Sequence, residues 1–496
     1  SPCENFLNMK IKLIAPARKP EWGEDFWDIS TAVKLRGKKT GGPYLSLFIL
    51  AALTLDDECR IVDERIEEID FNEKVDLVGI TVVTSLSQRA YEIADEFKKR
   101  GVIVVLGGIH VSMLPEEAIQ HSDSVIIGES EELWLQVLSD AKTKKLQKFY
   151  ISTNKYPDLK NSPIPKWELL KAGDYSYFTI QTGRGCPYDC EFCLVKAFNG
   201  RTYRHRTIDK VIKELELLKK IDSSKLIFFV DDNLLAVPSY AKELLKALSS
   251  LKIRWWCQAS INNLQNEDIL GLLYDAGCRM IFIGIESVSQ GSLNLLNKGH
   301  INKVDQYKEI INRVHSKGIA IFGSFVLGND TDTKNIFEET SRFIANTNIA
   351  YSMINILTPP PGTKLFERLN KEDRILHRDW WRYNTDSACF MPSLMTNEEL
   401  ENGRELVLRE IYSYEALYKR LSKLWGMGVL AKNRRSVFQF FSLGRIIFTI
   451  KCIFTKDIAR SLFVIKSLWV SKIGSVASVS LALSFHDYVY KNKKKR

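Results

Sequence analysis

The sequence Gly183-Arg-Gly-Cys-Pro-Tyr-Asp-Cys-Glu-Phe-Cys193 holds three closely spaced cysteines, Cys186, Cys190 and Cys193, in the pattern C-x3-C-x2-C. Thiolates are the protein ligands of iron–sulfur clusters. A [4Fe–4S] cluster normally takes four protein ligands, so three cysteines leave one iron open to an outside molecule. The glycines before the first cysteine let the backbone wrap tightly around a cluster. The motif therefore predicts a [4Fe–4S] cluster with one open iron.

Structural zinc is the alternative interpretation of these cysteines. Such zinc takes four closed ligands, and no second Cys or His pair lies at finger spacing here. The remaining cysteines are scattered, and we interpret them as core or incidental thiols: Cys3, Cys59, Cys257, Cys278, Cys389 and Cys452. Nine cysteines with three in one cluster motif indicate a reducing compartment.

The cysteine spacing, with the aromatic residue Phe192 just before the last cysteine, resembles that of the radical S-adenosylmethionine (SAM) enzymes. The resemblance implies that the amino and carboxylate groups of SAM chelate the open iron, with Phe192 beside the cofactor. It also implies that one electron from the cluster cleaves SAM to a 5′-deoxyadenosyl radical, which abstracts a hydrogen atom. An electron donor such as ferredoxin or flavodoxin is then required.

Residues 178–375 repeat strand and helix six times, which predicts a partial (β/α)6 TIM-like barrel. Barrel chemistry sits at the carboxyl ends of strands. Polar residues fall on or near those ends: Asp231, Asp232, Ser260, Glu286 and Ser324. The resemblance implies that Glu286, Ser260 and Asp231 contact SAM. A helix cap or a salt bridge is the alternative for an acidic residue there.

Residues 10–141 also alternate strands and helices, which predicts a parallel, doubly wound, Rossmann-like sheet with Ser124–Ile127 as its last strand. Ligands bind such sheets beyond the carboxyl ends of the strands. Gly107 and Gly108 follow a buried strand and permit close approach of the backbone to a ligand.

This part is similar to the cobalamin-binding domain of the cobalamin-dependent radical SAM subfamily. The similarity is carried by Thr81-Val-Val-Thr84, Leu106-Gly-Gly-Ile-His-Val111 and Gly128-Glu-Ser-Glu131. It implies that cobalamin contacts come from Thr81, Thr84, Gly107, Gly108, Gly128 and Glu129. The D-x-H-x-x-G signature is absent, so cobalamin is expected base-off without a protein histidine, and we interpret His110 as polar surface. The alternative is a cobalamin-like fold that has lost its cofactor.

Three further segments complete the predicted organisation. Residues 142–177 are a polar, proline-containing linker, and residues 376–431 are a helical capping segment. Within that segment Asp379-Trp-Trp-Arg-Tyr383 is expected to cap the open end of the barrel. Asn397–Leu424 is predicted as one long helix that begins at the capping residue Thr396.

Residues 432–496 form a basic, amphipathic helical tail, with fourteen Lys and Arg against two Asp and Glu. The whole chain carries a net charge of +10, so the tail accounts for all of the excess positive charge. The apolar stretches are interrupted by Lys and Arg, which predicts no transmembrane helix. Two interpretations stay open: helices lying in an anionic membrane interface, or helices packed on the barrel. No signal peptide is visible, so a cytoplasmic location is expected, with the inner membrane face as a contact site under the first interpretation.

The order of these parts resembles the radical SAM methylases of the hopanoid C-2 methylase type. It implies cobalamin-dependent methylation of an unactivated carbon on a small molecule or a lipid. One alternative is a radical SAM enzyme that joins or cyclises carbon chains without bound cobalamin. A tRNA methylthiotransferase is another, but it would carry more cluster cysteines and an RNA-binding barrel, so nucleic acid is not expected. A non-catalytic cluster protein is the third.

Overall fold

A computed structural model describes residues 8–23, 33, 37–152, 156–429, 457–467 and 476–491. Two six-stranded parallel sheets dominate this part of the chain. The first belongs to an amino-terminal Rossmann-like domain, and the second is a partial barrel. The predicted fold class, a parallel α/β protein with a helical carboxyl-terminal region, is confirmed.

The first sheet has the strand order β2-β1-β3-β4-β5-β6, and all neighbours run parallel. Its strands are β1 Lys10–Ala15, β2 Glu58–Asp63, β3 Leu77–Thr81, β4 Ile103–Gly107, β5 Ser124–Ile127 and β6 Phe149–Ile151. Its helices are α1 Leu45–Leu53, α2 Ser87–Lys99, α3 Ile109–Met113, α4 Pro115–Ala118 and α5 Trp134–Lys142. The central strands are short runs of Val, Ile and Leu that are buried on both faces, as a sheet covered by helices requires.

One prediction about this sheet is wrong. Ser124–Ile127 is not its last strand, because Phe149–Ile151 pairs parallel with it from within the segment interpreted as a linker. Three residues between Lys148 and Ser152 give too short an apolar run to stand out in the sequence. The linker segment 142–177 therefore begins as part of the first domain.

The second sheet has the order β14-β13-β12-β11-β10-β7, again fully parallel, which confirms the six predicted units. Its strands are β7 Tyr177–Ile180, β10 Leu226–Phe229, β11 Trp255–Gln258, β12 Cys278–Glu286, β13 Ala320–Leu327 and β14 Tyr351–Ile356. A separate antiparallel pair beside the cysteine loop consists of β8 Gly183–Arg184 and β9 Arg204–His205. Its helices are α6 Leu194–Asn199, α7 Ile208–Ile221, α8 Pro238–Ser249, α9 Glu267–Asp275, α10 Gln290–Leu295, α11 Tyr307–Ser316, α12 Asn335–Thr347 and α13 Lys364–Lys371.

The predicted long helix after the barrel is two helices, α14 Asn397–Tyr412 and α15 Tyr414–Gly426. Ser413 has an extended backbone, and its side chain accepts a hydrogen bond from the Ala416 N–H, so it caps the second helix. The predicted start is confirmed by a capping box between Thr396 and Glu399.

The described part of the tail packs on the barrel. Helix α16 spans Ile458–Ile465 and α17 spans Val476–Lys491. Phe485 of α17 is fully buried and contacts Phe322 and Tyr351 at the amino-terminal ends of the barrel strands. These residues therefore follow the second interpretation of the tail, whereas residues 430–456, 468–475 and 492–496 lie outside the described part. Among the described residues, no helix has the length and hydropathy needed to span a membrane.

The aromatic segment after α13 contacts the first domain. The Trp380 indole N–H donates to the carboxylate of Glu117, at 3.0 and 3.1 Å from its two oxygens. The ring of Trp381 stacks on Trp22, with centroids 5.9 Å apart. The segment therefore joins the barrel to the Rossmann-like domain.

Candidate active site

The cysteine loop leaves β7 and is held by the acidic residues that follow β10. The Asp231 carboxylate accepts hydrogen bonds from the N–H of Thr182 and of Gly183 (2.5 Å), and from the hydroxyl of Tyr203 at 2.7 Å. Asp232 accepts from the Gly185 N–H at 3.0 Å. Burial raises the pKa of Asp231 to about 6. Since its oxygens are occupied by the chain, Asp231 positions the loop, and the interpretation of this residue as a SAM contact does not agree with the geometry.

The glycines of the loop are required by space. Gly185 has φ +95°, and a Cβ at this residue would collide with the Thr202 carbonyl oxygen. A Cβ at Gly183 would collide with the ring of Tyr203. The turn that carries the cysteines therefore lies directly against the β8–β9 pair.

Cys186, Cys190 and Cys193 lie on this one turn, half-buried and without disulfides. Burial raises the pKa of all three thiols, that of Cys193 to about 12. In the part of the chain that the structure describes, no three acidic, His or Cys side chains converge on a single metal ion. A set of three soft donors on one turn fits a [4Fe–4S] cluster with one open iron.

Glu286 ends β12 in a strained conformation that faces the cysteine loop. Its φ is +63°, which is uncommon for a residue other than glycine, and the β12–β13 register shifts at this point. Its Oε1 lies 2.5 Å from Nζ of Lys298, which follows α10. Burial alone would lower the pKa of Lys298, but Glu286 and the nearby thiols of Cys190 and Cys193 raise it. Backbone strain of this kind is typical of ligand-binding positions.

The other predicted barrel residues lie around this pair. Phe192 is half-buried, and its ring centroid lies 6.0 Å from Nζ of Lys298. Ser260 follows β11 and exchanges hydrogen bonds with Asn233. Ser324 pairs in register with Gly284 and accepts from the Asn355 amide at 3.0 Å.

A cavity of about 290 Å³ lies between the carboxyl end of the first sheet and the cysteine loop. Five of the six residues predicted to contact cobalamin line it: Thr81, Gly107, Gly108, Gly128 and Glu129. Thr84 does not line it, because the turn Thr84–Leu86 packs against Trp380–Arg382 instead. The barrel side contributes Gln181, Arg184 and Asn199.

The glycines of this cavity fit a ligand that approaches the backbone. Gly108 has φ +112°, and a Cβ there would lie 2.8 Å from the Val82 carbonyl oxygen. Gly128 has φ +90°, and its N–H donates to the Ser112 hydroxyl at 2.9 Å. With the apolar side chains of Leu13, Ile80 and Val105 in the wall, these residues fit a large ligand such as cobalamin, which would lie against apolar surface and backbone.

Glu129 is engaged within the chain itself. Its carboxylate pairs with Arg184 (2.6 Å between Nη1 and Oε2) and with Arg204. It is almost completely buried, with 2% of its side chain exposed. Glu129 therefore joins the two domains at the cavity wall.

His110 is not the polar surface residue that its loop position suggested. It is 1% exposed, with Nε2 3.2 Å from Oε1 of Glu117, and its ring packs edge-on against Trp380. The nearby Val82 accepts a hydrogen bond from the His110 N–H, which fixes the turn after β4.

Sequence reasoning missed Arg184 and Lys298. Arg184 stands inside the cysteine motif, but its partners lie in a different domain. Lys298 follows a short helix with no strand-end signal. The one signal in the sequence is that a basic residue, Lys298, follows Glu286 after the next short helix.

The fold and these residues define a radical SAM enzyme with a cobalamin-binding domain. Residues 180–344 match the radical SAM superfamily, and residues 50–138 match the B12-binding domain. Residues 363–462 match a domain of unknown function, DUF4070.

Several curated relatives of this chain are methyltransferases, and two are cyclases. The Bacteriochlorophyllide d C-12(1)-methyltransferase of Chlorobaculum tepidum is 35% identical over 388 residues, which cover 76% of this chain and 84% of that protein. The Hopanoid C-2 methylase of Rhodopseudomonas palustris is 29% identical over 391 residues, 76% of this chain and 72% of that protein. The chain belongs to the cobalamin-binding radical SAM methyltransferases. Its cofactors are a [4Fe–4S] cluster, SAM and cobalamin.

A solved structure has the same fold. The radical SAM methyltransferase TsrM of Kitasatospora setae, with cobalamin and a [4Fe–4S] cluster bound, aligns with a TM-score of 0.64 at 14% identity. The alignment covers 98% of this chain and 99% of that one.

Proposed function

We propose that this enzyme methylates an unactivated carbon of an apolar substrate, with a lipid as the first candidate. The observation that carries the proposal is the shared cavity, which is lined on one side by the cobalamin-type loops and on the other by the loop of the three cysteines. We place the substrate between this cavity and the three cysteines, so that it reaches both cofactor sites. When bound, the cluster with SAM supplies a radical that removes a hydrogen atom, and cobalamin supplies the methyl group.

The interior of the barrel supports an apolar substrate. Ile227 and Phe229 pack in the core between sheet and helices, so Phe228 faces the inside of the barrel because strand side chains alternate. Phe228 stacks on Trp256 with centroids 3.7 Å apart, and Tyr177 packs edge-on against both. An aromatic inner surface binds hydrocarbon and planar groups and keeps water away from a radical.

The charged pair at the end of β12 supports the placement of SAM. The Glu286 carboxylate suits the amino group of SAM, and the Lys298 ammonium suits its carboxylate. Both side chains are mostly buried, with 8% and 11% exposed, so their interactions with a zwitterion are little screened by solvent. A ferredoxin or flavodoxin as electron donor is part of the same proposal.

The proposal is tested by tracing a labelled methyl group. Cells that produce the full chain are supplied with cobalamin and methionine carrying a deuterated methyl group, and lipid and polar extracts are compared by mass spectrometry. Cells that produce the Cys186→Ala/Cys190→Ala/Cys193→Ala variant are the negative control. Cys59→Ala, which removes a half-buried thiol outside the loop, is the matched control.

We expect a compound of the lipid extract to carry one labelled methyl group in cells that produce the wild type or Cys59→Ala. Cells that produce the triple variant should lack this labelled compound. A labelled compound in the polar extract only would contradict the lipid substrate. An enzyme that is loaded with iron and cobalt and cleaves SAM, yet labels no compound in either extract, would contradict methyl transfer.

A further inference from the structure

Arg184 connects the sites of two different cofactors. It stands two residues before Cys186, and its guanidinium reaches into the first domain, with Nη1 2.6 Å from Oε2 of Glu129 and Nη2 2.5 Å from Oε1 of Glu131. The remaining Nε donates to Gln181 at 2.7 Å. All three nitrogens of one side chain are therefore fixed, two of them by the loop that follows β5.

The surroundings make this connection stiff. Arg184 is 11% exposed, and the side chains of Glu129 and Glu131 are 2% and 13% exposed. Burial alone would raise the pKa of Glu131, but the charge and hydrogen bond of Arg184, together with a backbone hydrogen bond and the charge of Arg204, lower that pKa. Separating a buried ion pair leaves charges without partners, which is strongly unfavourable. We therefore expect the cysteine loop and the loop of Gly128 to move together, because separate movement would break these buried ion pairs.

Both loops also line the cavity between the domains, where Glu129, Glu131 and Arg184 form adjacent parts of the wall. Gly128, directly before Glu129, has the backbone conformation that lets a ligand approach. A ligand that orders the Gly128 loop thus also orders the arginine that precedes the first cysteine.

We propose that Arg184 is a positioning residue that couples cobalamin binding to the state of the iron–sulfur cluster. Filling one site strengthens binding at the other, because each cofactor fixes one half of the same ion-pair network. Coupling between two binding sites is reciprocal, so cobalamin also slows the loss of iron. Neither effect requires the substrate, so the proposal stands or fails independently of the substrate class proposed above.

The chain offers a matched control on the other side of the same loop. Arg368 of α13 holds Glu191, between the second and third cysteines, with Nε 2.7 Å from Oε1. It also pairs with Asp330. Arg368 therefore holds the cysteine loop by the same kind of ion pair as Arg184, but it belongs to the barrel and not to the boundary between the domains.

The experiment measures the dissociation constant of hydroxocobalamin by visible absorbance, with the full chain either carrying a reconstituted cluster or free of iron. In the wild type we expect about tenfold tighter binding with the cluster present, within the usual range of coupling between sites. Arg184→Gln should bring the ratio of the two constants close to one, and Arg368→Gln should leave it at the wild-type value. In the reciprocal measurement, cobalamin should slow iron release to a ferrous chelator in the wild type but not in Arg184→Gln.

A wild-type ratio near one would overturn the proposal, and so would an Arg184→Gln ratio equal to that of the wild type. A loss of coupling in Arg368→Gln as well would overturn the proposal. Any substitution that weakens the cysteine loop would then abolish the coupling, and Arg184 would have no special role. If Arg184→Gln does not fold, Glu131→Gln takes its place, since it removes a single partner. A ratio that falls toward one supports the proposal, and an unchanged ratio contradicts it.

Discussion

The carboxyl ends of the two sheets carry different chemistry. The end of the first sheet offers glycines and apolar side chains, and the backbone of Val82 leaves no room for a Cβ at Gly108. The end of the barrel offers charged groups: the acids that clamp the cysteine loop, and the pair of Glu286 and Lys298. We call the end of the first sheet the shaped edge, because its backbone and apolar surface match a ligand by shape. We call the end of the barrel the charged edge.

The difference follows from the ligands. A cobalamin is large, so apolar area and close backbone approach provide most of its binding free energy. SAM is small and zwitterionic in its amino-acid part, so charge-assisted hydrogen bonds in a buried place provide more. The same topological position thus serves two modes of recognition, and variants at each edge distinguish them.

The largest expected effect is at the charged edge. Glu286→Gln keeps the shape of the side chain but removes its charge, and a hydrogen bond to a charged group is worth about 1.5–3 kcal/mol. We expect SAM to bind roughly 10- to 100-fold more weakly to cluster-loaded protein, with cobalamin affinity unchanged, as measured by equilibrium dialysis with labelled SAM. Glu216→Gln, on an exposed helix face, is the control. Unchanged SAM affinity would show that the barrel edge does not bind through Glu286.

A smaller effect is expected at the shaped edge, where two adjacent glycines form a matched pair. Gly108→Ala forces a left-handed backbone and a 2.8 Å contact with the Val82 carbonyl, so it should lower the free energy of unfolding by about 1–3 kcal/mol and weaken cobalamin binding. At Gly107 a Cβ would meet only the Ser130 hydroxyl, at 3.8 Å, so Gly107→Ala should change stability by less than about 0.5 kcal/mol. Denaturant unfolding and cobalamin titration measure both. Equal effects of the two variants would argue against binding by backbone shape.

The smallest effect is expected for Thr81→Val, which keeps the volume at the end of β3 and removes one hydroxyl. If the shaped edge binds by area, loss of this neutral hydrogen-bonding group should cost less than about 1 kcal/mol, or about fivefold in cobalamin affinity. A cobalamin titration of the variant measures this. A loss of tenfold or more would mean that the two edges differ less than their residues indicate.

The sequence predicts the strands and the cysteine loop well because their signals are local. Each central strand is a buried run of Val, Ile and Leu, and the three cysteines are neighbours along the chain. The glycines after β4 also carry a local signal, since a turn at a strand end needs their backbone freedom.

The parts that escaped prediction depend on contacts between distant residues. Arg184 and Glu129 belong to different domains, and no pattern along the chain links them. The sequence predicts that Trp380 caps the barrel, but its indole N–H donates a hydrogen bond to Glu117 of the first domain. Ser413 lies within a helical pattern, and only its extended backbone shows that it ends one helix and caps the next.

The late position of Phe485 in the chain determines when the barrel can be completed during synthesis. It closes the amino-terminal ends of β13 and β14 against Phe322 and Tyr351, yet it is synthesised long after both. At about 5–20 residues per second, the ribosome needs on the order of ten seconds to travel from Tyr351 to Phe485. During that interval the floor of the barrel is uncovered while all three cysteines are already outside the ribosome. Completion of the barrel is therefore a late event in the life of the nascent chain, and it follows the appearance of the cluster ligands.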